Sequence, residues 1–151
     1  MIKIIVVGSL KEQYLKDATI EYIKRLQKYT EIDLIEVKEE WLLPPQQAMK
    51  KEAERIKKHL SEKDYLITLE IEGKELTSEE FSKKIEDMMI NSSNITFLIG
   101  GSYGIDENLK KEAKYHLSFS KMTFPHQLFR VLLLEQIYRA FKIMNNESYH
   151  K

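Results

Sequence analysis

FLIGGSYGID, residues Phe97 to Asp106, carries an apolar run straight into three glycines within five positions and then into an aspartate able to cap a helix. Read as strand, tight turn and helix start, it is one βα unit, and the same grammar recurs on both sides of it. Ile95–Ile99 is the strand that leads into the turn, and Asp106 opens a short helix reaching Ala113. Upstream, the β-branched run Ile2–Val7 ends at Gly8 and is followed by helically spaced apolar residues from Tyr14 to Leu26. Ile32–Val37 alternates apolar and acidic residues like a half-exposed strand, Pro44 and Pro45 break the chain, and a helix is expected from about Gln46 to Leu60. Tyr65–Ile71 is a third strand. Thr77–Glu80, TSEE, has the capping-box spacing and starts a helix running to about Ile90. Tyr115–Ser120 is a short fifth strand, and a last helix runs from Pro125 to about Met144. Strands alternating with helices predict an α/β fold with a mainly parallel sheet flanked by helices.

The chain has 151 residues, suited to a single domain spanning 1–151. Basic and acidic residues balance at 24 each, so no overall positive field draws it to nucleic acid or to a membrane surface. Any RNA binding must come from a local patch. The absence of cysteine excludes disulfides, thiolate nucleophiles and thiolate metal sites. MIKIIVVG is too short for a signal segment and no later run is long enough for a membrane span, so the expected location is the cytoplasm. Between Leu128 and Met144 apolar residues wrap nearly the whole helix, more than one sheet face should bury, which predicts a homodimer sharing that helix. The basic run from Lys50 to Lys63 is interrupted by Glu52, Glu54 and Glu62 and reads as a solvated helix face.

The glycine turn is neither a GxxxxGK[ST] phosphate loop nor a GxGxxG dinucleotide fingerprint. Its position matters more, because ligands of open α/β sheets sit beyond the carboxyl ends of the strands. Three such ends are unusual: TLEIEG after the third strand, IGGSYG after the fourth and SFSKMTFP after the fifth. If those strands are neighbours, their loops converge. In LSFSKMTFPHQ, apolar Met122 and Phe124 sit among hydroxyls able to satisfy backbone groups, a composition suited equally to a flat heteroaromatic ring or to a well-packed connector.

TLEIEGK, FLIGGSYG, the opening MIKIIVVGSLKE and the long block LSFSKMTFPHQLFRVLLLEQIYRAFKIMNNESYHK resemble the RlmH family of SPOUT-class RNA methyltransferases, essentially end to end. The resemblance implies a C-terminal trefoil knot, a homodimer, and S-adenosylmethionine as cofactor, whose sulfonium methyl is already activated, so no metal is required. It places the cofactor against Leu69, Gly100, Phe119, Ser120, Lys121, Met122, Thr123 and Phe124. The implied substrate is N3 of a pseudouridine in the helix 69 loop of 23S rRNA, on the assembled 70S ribosome. Removing the N3 proton would make the nitrogen a better nucleophile, and His126, Arg130 and His150 are the candidate catalytic groups. His126 reads equally as a helix-start residue, and Arg130 and Arg139 equally as partners of Glu135. Tyr149, His150 and Lys151 form an aromatic and basic tail suited to an RNA loop, or else a plain terminus. Three other readings remain: a nucleotide-binding α/β regulatory module without catalysis, a SPOUT methyltransferase acting on tRNA, and a dimerisation scaffold.

Overall fold

The computed structural model describes residues 1–151. Five strands form one sheet in the order β2-β1-β4-β3-β5, and every neighbouring pair is parallel. They are β1 (Ile2–Val7), β2 (Ile32–Val37), β3 (Asp64–Glu75), β4 (Asn94–Ile99) and β5 (Tyr115–Ser118). The helices are α1 (Gln13–Leu26), α2 (Pro45–Lys57), α3 (Ser78–Asn91), α4 (Glu107–Glu112) and α5 (His126–Met144).

Helices cover both faces, so the inner strands are buried on both sides and read as unbroken apolar runs rather than alternating ones. Alternate residues nonetheless serve different cores. Ile2, Ile4 and Val6 of β1, with Ile95, Phe97 and Ile99 of β4, face the larger core under α1, α3 and α5. Ile5, Val7 and Leu98 point the other way, against Ala53 and Ile56 of α2 and Leu109 of α4. At the amino end of the sheet, Lys3 is tied to Asp64 at 3.0 Å.

Two helix starts form as their sequences dictate. The Thr77 hydroxyl accepts from Glu80 N at 3.1 Å while the Glu80 carboxylate accepts from Thr77 N at 2.8 Å, a closed capping box. Asp106 accepts from Asn108 N and Leu109 N.

Other expectations are corrected. β3 runs to Glu75 rather than Ile71, with a register shift between Leu69 and Lys74 against β5. Gly73 permits it, since a Cβ there would sit 2.7 Å from the Leu117 carbonyl carbon. β5 stops at Ser118, whose hydroxyl donates to Ser120 O and turns the chain out of the sheet.

The girdle of α5 is largely used within the chain. α1 and α3 lie on the same sheet face and grip α5 from its flanks: Tyr22 and Tyr29 meet Tyr138, Tyr29 stacks on Phe141 at 5.5 Å, and the Ser82 hydroxyl of α3 donates to Ala140 O. The sheet is therefore not its only cover, and the apolar circumference by itself does not require a second subunit. Glu52 also departs from the solvated face expected of α2. It is 2% exposed and accepts from Glu40 N at 3.0 Å.

Candidate functional site

β4, β3 and β5 are adjacent, so the loops that follow β4 and β5 converge with the Leu69–Glu72 stretch of β3 at the carboxyl end of the sheet. Between them lies a cavity of about 760 Å³, within the range of small-molecule and cofactor sites. Leu69, Gly100, Phe119, Ser120, Met122, Thr123 and Phe124 all line it. Lys121 is exposed and does not.

The first wall is the glycine turn. Gly104 N donates to Gly101 O at 3.0 Å, and Gly104 has φ of +89°, a left-handed conformation suited to glycine. Gly100 is required by contact: a Cβ on it would lie 2.7 Å from Ile105 Cγ1 and 2.8 Å from the Gly104 carbonyl carbon. The turn is also held from behind. Glu39, 7% exposed in the loop just after β2, accepts at Oε1 from Ser102 N at 2.9 Å and from the Ser102 hydroxyl at 2.8 Å.

The second wall is the loop between β5 and α5. Its hydroxyls satisfy its own backbone: the Ser118 hydroxyl donates to Ser120 O, and the Ser120 hydroxyl accepts from Met122 N, each at 3.0 Å. Its rings form a tilted aromatic cluster, with Phe129 centred 4.9 Å from Phe119 and 6.0 Å from Phe124. Apolar walls with backbone groups between them can hold a flat heteroaromatic base.

The third wall is the middle of β3, at the start of its register shift, where Glu70 follows Leu69. Glu70 Oε2 accepts from the Thr68 hydroxyl at 2.6 Å and contacts His116 Nδ1, while Lys110 Nζ stands 3.5 Å from Oε1. Burial alone would raise the Glu70 pKa, but the Thr68 and His116 hydrogen bonds and the Lys110 charge outweigh it and hold it below the usual carboxylate value. Glu70, Lys110, Ser102 and Phe129 were not singled out from the sequence. Glu70 and Lys110 look like solvated charges in the sequence, Ser102 like any turn serine and Phe129 like any core ring, and no local spacing signal marks them.

The proposed catalytic residues separate. His126 opens α5 and lines the cavity. Arg130 does not: its side chain is 1% exposed, donating to Glu36 at 2.7 Å and to Gly8 O at 3.2 Å, with Nε unpartnered. It ties α5 to the ends of β1 and β2, and its partner is Glu36 rather than Glu135. Arg139 does pair with Glu135, at 2.7 Å. His150 lies against α3 and α5 instead, with Nε2 2.7 Å from Glu79 and Nδ1 3.2 Å from Arg139. Tyr149 donates to Glu135 at 2.7 Å, meets Tyr138 edge-on and carries Arg139 over its ring. The tail is thus docked, and its aromatic ring is already engaged on this chain, while Lys151 is exposed. No cluster of three or more side chains suited to a metal ion is present, and no helix is long and apolar enough to cross a membrane.

Comparison with known proteins bears on this geometry. A family model described as a predicted SPOUT methyltransferase matches residues 1–150. The chain is 52% identical to the ribosomal RNA large subunit methyltransferase H of Ruminiclostridium cellulolyticum and 48% identical to that of Streptococcus suis, over 99% of each chain in both cases. Among solved structures, one described as "a probable methylase family protein" from Haemophilus influenzae superposes with a TM-score of 0.58 at 15% identity, covering 99% of this chain and 70% of that one. That likeness concerns the fold alone.

Proposed function

The chain belongs to the SPOUT methyltransferase family, in its RlmH branch, and from that premise we propose that it transfers a methyl group from S-adenosylmethionine to N3 of a pseudouridine in the helix 69 loop of 23S rRNA, on the assembled 70S ribosome in the cytoplasm. The observation that carries the reading is the three-walled cavity. Seven of the eight residues proposed to hold the cofactor line one space, although they come from β3 and from the separate loops that follow β4 and β5. The names of the relatives support large-subunit ribosomal RNA as the substrate class. The pseudouridine, its N3 position and the ribosomal context come from the family resemblance.

The residues present suit the cofactor. Phe119, Phe124 and Phe129 offer apolar surface for an adenine ring, and the Gly100 turn lets backbone approach it. When bound, S-adenosylmethionine supplies a methyl group already activated on a sulfonium. What remains for the protein is to align the attacking nitrogen, exclude water and accept the N3 proton. His126 is the one imidazole lining the cavity, and we assign it that proton. Arg130 fixes the entry of α5 from behind. Lys121 and Lys151, both exposed, are free to meet RNA phosphates. The reading also includes a single domain, a homodimer, and the C-terminal knot that goes with the family.

Incubating labelled S-adenosylmethionine with 70S ribosomes, free subunits and tRNA, followed by mass spectrometry of the nucleosides, tests the proposal. N3-methylpseudouridine formed on 70S ribosomes is expected. Transfer to tRNA alone would overturn the substrate and keep the cofactor, and absence of transfer to any RNA would favour the non-catalytic module.

A further inference from the structure

Three charged side chains line the cavity, Glu70, Glu72 and Lys110; Glu72 is exposed, and the other two sit together. Glu70 from β3 is 11% exposed at its side chain and Lys110 from α4 is 24% exposed. Glu70 Oε2 is saturated by Thr68 and His116, whereas the partner of Oε1 is the Lys110 ammonium at 3.5 Å. Lys110 also donates to Glu107 at 3.3 Å, a carboxylate whose side chain is 77% exposed to solvent. A charge-assisted bond closes to about 2.7–2.9 Å. Comparably buried pairs elsewhere in this chain do so or come near it, with Arg139 and Glu135 at 2.7 Å and Lys3 and Asp64 at 3.0 Å, whereas distances like that of Glu70 and Lys110 belong to exposed pairs such as Lys57 and Glu112 at 3.6 Å. A largely buried pair left open incurs desolvation without the full attraction that would offset it. That is the expected state of two groups whose partners arrive with a ligand.

We infer that Glu70 and Lys110 form a subsite for the zwitterionic amino-acid end of the methyl donor, Glu70 accepting its ammonium and Lys110 donating to its carboxylate. This rests on the S-adenosylmethionine reading above. The adenine needs flat apolar walls and the ribose is neutral; the amino-acid end is the part of that donor with one positive and one negative group beyond its sulfonium. An anion on Glu70 and a cation on Lys110 complement it in sign. The Thr68 hydroxyl and His116 hold the carboxylate in place from the side away from Lys110, at the other oxygen. A lone carboxylate would serve a ribose diol equally well, but the adjacent ammonium would then have no partner in the ligand.

The test is calorimetric titration of the whole protein, and of Glu70→Gln and Lys110→Met, with S-adenosylhomocysteine and with 5′-methylthioadenosine, which keeps adenine and ribose but lacks the amino-acid end. Both substitutions should weaken S-adenosylhomocysteine by about tenfold or more, the loss of one hydrogen bond to a charged group, and leave 5′-methylthioadenosine within about twofold. Equal weakening of both ligands, or no weakening of either, overturns the subsite. Lys110→Met lies at the cavity edge and keeps the test available if Glu70→Gln does not fold. If the unaltered protein binds neither ligand, the cofactor reading itself fails, a result distinct from selective failure of the variants.

Discussion

Glu39→Ala should loosen the glycine turn from behind by freeing Ser102, while removing no side chain that itself lines the cavity. The Glu39 carboxylate fastens the turn to the loop just after β2 through two bonds to Ser102, at 2.9 and 2.8 Å. Hydrogen bonds to charged groups are worth about 1.5–3 kcal/mol each. These two share one oxygen and one residue, so their losses do not add. Ser102 is exposed, and water can reach its N–H once the carboxylate is gone. Burial raises the pKa of Glu52, and the charge of Glu39 raises it further, so removing that charge gives back a little stability. The net expectation is a loss of about 2 kcal/mol, which for a chain of this size lowers the melting temperature by roughly 4–8 °C. Glu39→Gln keeps an oxygen acceptor and should lose about half as much. Thermal unfolding by circular dichroism gives the stability, and amide exchange at Gly101 and Ser102 reports the turn itself. S-adenosylhomocysteine affinity should fall in the same order, Ala more than Gln. A Glu39→Ala protein with unchanged melting, unchanged exchange at Ser102 and unchanged affinity would refute the anchoring argument.

Gly100→Ala places a Cβ within 3.0 Å of both Ile105 and the Gly104 backbone; overpacking of this kind costs about 1–3 kcal/mol, and calorimetry should show weakened cofactor binding in a protein that still folds. Asp64 and Glu52 should respond to pH in opposite directions. Burial pushes the Asp64 pKa up, but Ser61 N–H, Lys3 and Asn94 more than reverse it, so the folded value is depressed; its contribution is present above the ordinary carboxylate pKa and is lost as pH falls through the folded one. Asp64→Asn should therefore be least stable relative to the parent at neutral pH, with the gap closing in acid urea titrations; a constant gap would sink the assignment. Burial raises the Glu52 pKa, so its ionised form destabilises the fold as pH rises through that value. Glu52→Gln should match or exceed parental stability at pH 7 and lose that advantage in acid, and a clear loss at pH 7 would show that the carboxylate's bond from Glu40 N outweighs its burial.

Local chemistry made much of this chain legible. β-branched runs marked β1 and β4, because a strand buried on both faces is written as continuous apolar sequence. Thr77, Glu80 and Asp106 marked helix starts, because a cap is satisfied by residues two or three positions away. The stretches TLEIEG, IGGSYG and SFSKMTFP stood out by composition, and all three contribute to one cavity, the first from within β3 rather than from a loop. The extension of β3 past Gly73 was not legible, since its cause is the backbone of β5 more than forty residues later.

By itself, then, the sequence determined the elements, the parallel α/β class and three candidate walls, all of which follow from spacing along the chain. Only the tertiary structure decided the strand order that brings those walls together, the flanking of α5 by α1 and α3, and the burial of Arg130 away from the cavity. It also decided that Glu39 grips Ser102 and that Glu70 stands open to Lys110. Such pairings depend on which polar side chains lose water when distant segments meet, and a charged residue is spelled the same way whether it ends in solvent or beneath a loop.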